Sequence, residues 1–331
     1  MNDINPKKKR VFTRRRVLIG AGGLVGTAAI GIGGYIGYGY TQRFFREGSA
    51  TVRDHRISLA DIYPKLVVAR GPDPAVNVRA IINRMGGMKQ FIATNDVVVI
   101  KPNIGWERTP VYGANTHPGV VGELARLCLA EKPKRVIVCD CPVARDSKRS
   151  FELSGIEKAA LEAGAEVIVP ENSSYRTVTI SDRLGAWDIL EPFVSATKII
   201  NVPVAKHHSL SGVTAGMKNW IGITTRLRPL FHNDIHQSIA DLANLMKPTL
   251  TVMDATRILM AKGPEGGNLD DVKPVQTVAA SVDPVALDAW AAGLFGLSES
   301  DWPRSVFLAE EMGLGITDYA SLPVVEIPPQ T

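Results

Sequence analysis

The sequence predicts an α/β fold: a doubly wound, mostly parallel sheet with helices on both faces, built as a single large domain. Three observations predict it. Short apolar runs rich in β-branched residues alternate with segments of helical periodicity. The strand candidates are apolar almost throughout rather than at every second residue, as parallel strands covered on both faces are. No linker rich in Pro and Gly divides the chain beyond residue 65, which favours one domain.

The predicted elements follow one another from residue 66 onward. Strands are expected at 66–69, 96–100, 135–140, 166–169, 198–202 and 249–254. Helices are expected at 74–85, 118–130 and 155–163. In the second helix Val121, Leu124 and Leu127 recur at helical spacing, and Gly164 ends the third. This alternation of strand and helix is the pattern of a doubly wound sheet.

The charge of the chain is divided unevenly between its start and its body. The whole chain carries a formal charge of +5, but residues 1–40 hold seven basic residues and one acidic residue, and the remaining 291 residues have a net charge of −1. Non-specific binding of nucleic acid needs a dense cationic surface. The nearly neutral body therefore excludes a nucleic-acid partner from the functions we expect.

The basic N-terminal segment indicates a targeting signal. Residues 13–18 (TRRRVL) lead into 24 uncharged residues, 17–40, as in a targeting segment, and the consecutive arginines resemble a twin-arginine export signal. The alternative is a transmembrane anchor with cationic flanks, because 24 helical residues span about 36 Å, enough to cross a bilayer. We expect a protein exported by the twin-arginine machinery to the periplasm or the outer face of the cytoplasmic membrane. It is then either cleaved or tethered through residues 17–40, with residues 41–65 as a linker or packing arm.

Three cysteines, Cys128, Cys139 and Cys141, limit the redox chemistry of the chain. They are too few for a disulfide framework. No Cys-x-x-Cys occurs, so we expect no self-contained iron–sulfur cluster. Cys139 and Cys141 share one face if both lie in a strand, which would allow a soft metal or a redox role; the alternative, which we favour, is two small buried residues.

Polar residues stand where predicted strands end, which is where ligands bind in this fold class. Lys101 and Asn103 close one strand, Asp140 another and Asp254 a third. For Asp140 we favour the alternative that its carboxylate caps the next helix or turn.

The densest polar stretch contains Lys206, His207, His208, Lys218 and Asn219 within fourteen residues. Such groups are costly to bury without partners. Grouped together, they predict a site for an anionic substrate, in which lysines supply charge and an imidazole transfers a proton. Lys218 is alternatively a nucleophile, and the whole stretch is alternatively a solvated loop followed by a helix.

Two further segments are candidates for ligand binding. If residues 231–236 are helical, His232 and His236 lie on one face at a spacing that can bind a divalent metal, and Asp234 could join them from a loop. The loop at 263–268 contains Gly266 and Gly267, whose backbone N–H groups could hold an anion. It is neither a Walker A motif nor a dinucleotide fingerprint, and a plain turn is the alternative.

Several of these segments together resemble a known family. They are 98–103 (VVIKPN), 201–208 (NVPVAKHH), 217–222 (MKNWIG), 235–236 (IH), 254–255 (DA), 263–267 (GPEGG) and 281–288 (SVDPVALD). In this order, over about residues 96–296, the chain resembles the DUF362 family of uncharacterised bacterial and archaeal proteins. Some members carry a ferredoxin-like cluster domain, which implies a redox context for them; this chain lacks those cysteines.

The resemblance implies a shared site lined by nine residues. They are Lys101, Asn103, His207, Lys218, Asn219, His236, Asp254, Asp283 and Asp288. It leaves the substrate, the reaction and any cofactor open, a divalent metal being one candidate.

Two function classes follow. In the first, an exported enzyme acts on a small anionic or metal-chelated substrate with His207, His236 and Lys218 as catalytic groups. Its substrate is held by Lys101, Asn103, Lys206, Asn219, Gly266 and Gly267. In the second, a non-catalytic accessory protein of a redox system holds a metal, a cofactor or a partner. An enzyme should bring a histidine within hydrogen-bond reach of a carboxylate such as Asp254 or Asp283, beside a closed pocket.

Overall fold

The computed structural model describes residues 48–58, 62, 65–170, 174–224 and 228–329. The predicted export signal and membrane tether, residues 1–40, lie outside these residues. Within the described ranges, no helix combines the length and the apolar character that a membrane crossing needs.

One large sheet dominates the described part of the chain. The strands of the structure are β1 Leu66–Arg70, β2 Val97–Pro102, β3 Arg135–Cys139, β4 Glu166–Ile168, β5 Tyr175–Ser181, β6 Gly185–Leu190, β7 Lys198–Val202, β8 Val204–His208, β9 Gly212–Thr214, β10 Leu250–Leu259, β11 Val272–Ser281 and β12 Val324–Ile327. Eight strands run in the order β12-β1-β11-β10-β7-β2-β3-β4, β8 pairs with both β10 and β9, and β5 and β6 form a separate hairpin.

The pairing directions confirm a mostly parallel sheet. From β4 through β3, β2 and β7 to β10, each strand is parallel to its neighbour. The exceptions lie toward one edge, where β11 is antiparallel to both β10 and β1, and in the antiparallel pair of β8 and β9. All six predicted strands are present, and β10 continues five residues beyond its predicted end at 254, to Leu259.

The α-helices of the described residues pack on both faces of this sheet. They are α1 Pro74–Arg84, α2 Pro118–Ala130, α3 Ser147–Ser154, α4 Ile156–Ala163, α5 Glu191–Ser195, α6 Ile235–Met246, α7 Pro284–Gly293 and α8 Arg304–Glu311. The site also involves two 3-10 helices, Met217–Ile223 and Arg228–Asp234. The three predicted helices are α1, α2 and α4.

Strand β2 shows why both faces are covered. Successive side chains of a strand point to opposite faces, and Val98 and Ile100 belong to the core cluster that also contains α1 and α2. Val99 belongs to the opposite cluster, with α6 and the β5–β6 hairpin. The apolar run needs no polar alternation because neither face meets water. The doubly wound architecture is therefore confirmed.

Part of the segment predicted to be a linker or packing arm is described at residues 48–58. Ala50 N donates to Thr177 O of β5 at 3.1 Å, and His55 N donates to Lys247 O, after α6, at 3.1 Å. The ring of His55 is buried. These residues therefore pack against the sheet-containing body.

Candidate functional site

A cavity of about 580 Å³ lies where β2, β3 and β8 end. Its polar lining includes Asn103, Asp140, Arg145, Lys206, His208, Ser209, Thr214, Lys218, Asn219, Arg228 and His232. We call it the central cavity. Because β2 and β3 are parallel neighbours, the residues that follow both strands emerge at one edge of the sheet, as the sequence predicted.

A buried ion pair lies next to this cavity. Lys101, at the end of β2, is fully buried, and its Nζ donates to Asp140 Oδ1 at 2.6 Å. Asp140 directly follows β3 and also accepts a hydrogen bond from the Ile104 backbone N–H at 2.6 Å. Burial lowers the pKa of Lys101, and the carboxylate of Asp140 opposes that shift. Asp140 is therefore an ion-pair partner inside the fold and not a helix cap, the role that we favoured from the sequence.

Two asparagines connect this ion pair to a second lysine. Asn219 Oδ1 accepts from Lys101 Nζ at 3.1 Å and from Asn103 Nδ2 at 3.0 Å. Asn103 Oδ1 in turn accepts from Lys206 Nζ at 2.9 Å. The four residues come from three separate stretches of sequence, and their hydrogen bonds hold the two ammonium groups in fixed positions.

Lys206 is almost fully buried without a contacting carboxylate among the described residues. Two of its three N–H donors go to neutral oxygens, those of Asn103 and the Ala114 backbone. Burial, with a smaller contribution from the nearby charge of Lys218, lowers its pKa to about 7. This ammonium group lines the cavity, and its third donor is available for an anion.

Lys218 differs from the other two lysines of the site. Within the described ranges it has no hydrogen bond and no ion pair. Burial lowers its pKa to about 8, with a smaller contribution from the charge of Arg228. Arg228 itself is buried and donates to the backbone oxygens of Cys141 and Thr224, which carry no formal charge.

The lining is strongly cationic. Its cationic side chains are those of Arg145, Lys206, Lys218 and Arg228. Its one carboxylate is that of Asp140, which is already paired with Lys101. The cavity therefore favours anions.

The alternation of β8 decides which histidine belongs to the site. Lys206 and His208 stand two residues apart on one side of the strand, and both line the cavity. His207 faces the other way, and its Nδ1 accepts from Gly263 N at 3.1 Å. The acid/base role predicted for His207 therefore does not fit the geometry, because its neighbour His208 is the residue in the cavity.

The ring of His208 is held in one tautomer. Its Nδ1 accepts hydrogen bonds from Leu210 N at 3.2 Å and from Ser211 N at 3.3 Å, so the ring proton is on Nε2. Burial, together with the charges of Lys218 and Lys206, lowers the pKa of His208 to about 3. Near neutral pH, His208 is thus a neutral N–H donor. His232 stacks nearby, with 6.4 Å between the ring centroids.

The residues of the predicted metal site are not brought together. His232 lies in the 3-10 helix, whereas His236 lies in α6, so the single helix that the prediction assumed is absent. Asp234 caps α6 by accepting from Gln237 N, and His236 Nδ1 accepts from Ser305 N at 3.4 Å. Neither Asp234 nor His236 lines the cavity. In the described part of the chain, no three His, Cys, Asp or Glu side chains are grouped to hold a metal ion.

The three aspartates of the family pattern bind backbone instead of lining the cavity. Asp283 caps α7, and Asp254 accepts from the backbone N–H groups of His117 and Thr256. Asp288 accepts from Gly216 N at 2.6 Å and from Met217 N at 3.0 Å, at the start of the 3-10 helix that carries Lys218 and Asn219. Burial raises the pKa of Asp288 to about 7. Asp288 is therefore a positioning residue for the site.

The two glycines predicted to bind an anion lie outside the cavity lining, whereas Gly222, for which nothing was predicted, lines the cavity. Gly266 and Gly267 have positive φ angles, and of their loop only Pro264 lines the cavity. By contrast, a Cβ atom on Gly222 would clash with Asp140 Oδ1 and would lie 2.7 Å from Lys101 Nζ. Glycine is needed there because the 3-10 helix lies directly against the buried ion pair.

Sequence reasoning missed three lining residues: His208 as the cavity histidine, and Arg145 and Arg228. The alternation of β8 would have separated His208 from His207 if that stretch had been predicted to be a strand. No signal in the sequence marked either arginine.

Comparisons with known proteins agree with the family resemblance. The family model described as a domain of unknown function, DUF362, matches residues 98–293. The thylakoid-associated protein sll1697 of Synechocystis is 25% identical over 249 residues, covering 73% of this chain and 75% of that protein.

A solved structure, that of the lactate racemase apoprotein from Thermoanaerobacterium thermosaccharolyticum, aligns with a TM-score of 0.45 and 14% identity. The alignment covers 72% of this chain and 58% of that structure, so this chain spans less than two thirds of the racemase.

The family match includes all of the cavity lysines and both asparagines of the hydrogen-bonded network. The chain belongs to the DUF362 family.

Proposed function

We propose that this DUF362 protein binds a small organic anion in the central cavity and acts on it as an enzyme. The observation that carries the proposal is the excess of cationic side chains around the cavity. Lys206, Lys218 and Arg228 have no carboxylate partner among the residues that the structure describes. A bound carboxylate, phosphate or sulfonate would supply the missing countercharge.

The ligand that fits also has an apolar part. The walls include Trp106, Ile221 and Pro142, and two further apolar residues at the cavity, Val143 and Leu210, are 57% and 60% exposed. A volume of about 580 Å³ is within the range of small-molecule sites, which is about 300–1,000 Å³. An anionic head among the lysines and a short apolar body against these walls would match both properties.

The groups suited to proton transfer are the lysines. The pKa values of Lys206 and Lys218 are lowered to about 7 and about 8, so both exchange protons near neutral pH. His208 is fixed as an N–H donor, which suits it to hold a developing negative charge on a substrate oxygen. The proposed chemistry therefore rests on Lys206, Lys218 and His208 instead of on His207 and His236.

A non-catalytic binding protein is the second candidate, and one observation favours it. Within the described residues, none of the histidine rings is hydrogen-bonded to a carboxylate, so the histidine–carboxylate geometry expected of an enzyme is missing. Turnover of a bound anion would decide for the enzyme, and its return unchanged from the purified protein would decide for a carrier.

Replacing Lys206 with methionine tests the binding site. We expect hexanoate to bind roughly ten- to a hundredfold more weakly, because a charge-assisted hydrogen bond contributes about 1.5–3 kcal/mol. Isothermal titration calorimetry at pH 6.5 measures the change. The matched control is Lys158→Met, which removes a highly exposed lysine paired with Glu162. Equal affinities of wild type and Lys206→Met, or hexylammonium binding as tightly as hexanoate, would refute an anion site.

We also propose that residues 1–40 direct export by the twin-arginine route, on the basis of Arg14 and Arg15 in front of the uncharged stretch. The double variant Arg14→Lys and Arg15→Lys keeps the charge, and we expect it to remain in the cytoplasm. Fractionation of cells with an antibody to the body of the protein measures this. Arg10→Lys, outside the pair, should be exported normally. Export of the double variant would exclude this route.

A further inference from the structure

We propose that Lys218 is a nucleophile that forms an imine with the carbonyl group of an anionic substrate, a 2-oxo acid or an aldehyde that carries an acidic group. The inference rests on the proposed function, since the anion site has to hold the substrate beside Lys218. It adds the substrate class and a covalent step.

The first support is the isolation of the Lys218 side chain. Lys101 is fixed by Asp140, Pro102 O and Asn219, and Lys206 is fixed by Asn103 and Ala114 O. Lys218 has no such partner among the described residues, although it lines the same cavity. A lysine needs a free nitrogen lone pair to attack a carbonyl carbon, and only this one is not held by acceptor oxygens.

The second support is the charge around Lys218. Arg228 lies close enough to lower the pKa of Lys218, and Lys218 lowers that of Lys206 in the same way. Burial and a neighbouring cation are the two conditions that activate a catalytic lysine. At pH 7, a lysine with a pKa of about 8 has roughly two hundred times more neutral amine than an exposed lysine, whose pKa is about 10.4.

The third support is the arrangement of the remaining groups. Lys206 and Arg228 line the cavity and would hold the acidic group, while the Nε2–H of His208 is available to the carbonyl oxygen. The substrate is then oriented with its carbonyl carbon toward Lys218, and the apolar wall at Ile221 accepts a short chain. This is the fixed geometry that makes an addition effectively intramolecular.

The step balances without an oxidant or a reductant. The Lys218 nitrogen attacks the carbonyl carbon, the C=O electron pair moves to oxygen, and one N–H proton is transferred to that oxygen to give a carbinolamine. The Lys206 ammonium then donates a proton to the hydroxyl group, which leaves as water. The products are a protonated imine on Lys218, one water molecule and neutral Lys206. Hydrolysis reverses each step.

Reductive trapping tests the proposal with 2-oxohexanoate and sodium cyanoborohydride at pH 7. We expect the peptide that contains Lys218 to gain the reduced adduct at least roughly tenfold faster than any other lysine peptide, since Lys218 combines a lowered pKa with an amine that no acceptor oxygen holds, whereas Lys206 is hydrogen-bonded. Excess hexanoate should suppress the labelling. Peptide mass spectrometry with the whole protein measures both effects.

The controls separate this inference from the proposed function. Lys158→Arg should leave the labelling of Lys218 unchanged, and Lys218→Arg should abolish the selective label; site mapping on the wild type stands even if that variant does not fold. If calorimetry shows that hexanoate binds, but 2-oxohexanoate labels no lysine or labels exposed lysines equally, the nucleophile is refuted and the anion site stands. If hexanoate does not bind, the proposed function fails first.

Discussion

Replacing Asp140 with alanine should lower the free energy of unfolding by about 3–5 kcal/mol, the cost of removing one partner of a buried ion pair. Asp140 is 2% exposed and Lys101 is fully buried, so the lysine would lose its countercharge where water cannot replace it. The Ile104 backbone N–H would also lose its acceptor. Equilibrium denaturation in urea at pH 7 measures the difference, provided that the slope of the unfolding free energy against urea concentration is the same for the wild type and the variant.

The matched control is an ion pair of equal length at the surface. Arg135 and Glu166 are also 2.6 Å apart, but their side chains are 43% and 51% exposed. Glu166→Ala should cost no more than about 1 kcal/mol. The double variant Lys101→Met with Asp140→Ala should recover part of the loss, because no unpaired charge remains buried. Equal costs at the two pairs would show that burial does not govern the Lys101–Asp140 pair.

The central strands could be predicted because their cause is local. A strand covered on both faces must be apolar along its whole length, so β2, β3 and β7 are visible as apolar runs. Strands β11 and β12, toward one edge of the sheet, were not predicted because they are not buried along their whole length. No residue of β12 is fully buried, and β11 is buried only in its second half. The pairing of β1 with β11 joins residues about 200 positions apart, a relation that no local pattern contains.

The position of a site residue could be predicted only where that residue follows a predicted strand. Lys101 meets Asp140 because the parallel strands β2 and β3 end at one edge of the sheet, and strand ends were the basis of the prediction. Asn219 reaches the same place from a 3-10 helix that was not predicted. The choice between His207 and His208 depends on the register of β8, which was not predicted as a strand. One residue of register moves a side chain to the other face.

The aspartates show a second limit. Asp254, Asp283 and Asp288 occur in motifs of the family, and we expected all three in the site. Each accepts two or more backbone N–H groups. The need for a buried backbone acceptor and the need for a ligand both select a carboxylate, so residue type alone does not separate the two roles.

Affinity for hexanoate should fall at least roughly a hundredfold between pH 6 and pH 9.5, since two charge-assisted hydrogen bonds of about 1.5–3 kcal/mol each are lost. Lys206 and Lys218 are both protonated below their pKa values of about 7 and about 8 and are both neutral at the upper limit. Hexanoate stays ionised throughout, because carboxyl groups in water titrate near pH 4. The sign is therefore set by the protein: each lysine attracts the anion only below its own pKa. Calorimetry at half-unit pH intervals measures the curve.

The shape of that curve assigns the charges to residues. If the anion requires both ammonium groups, the logarithm of the dissociation constant is constant below pH 7. It then rises by about one for each pH unit between the two pKa values, and more steeply above pH 8. Lys206→Met should remove the lower bend and leave the upper one. Lys218→Met should do the reverse, with an unchanged curve for the surface variant Lys158→Met. Binding that is independent of pH over this range would mean that the anion is held by the cavity arginines, Arg145 and Arg228, and by backbone donors, because a guanidinium group keeps its charge to pH 9.5.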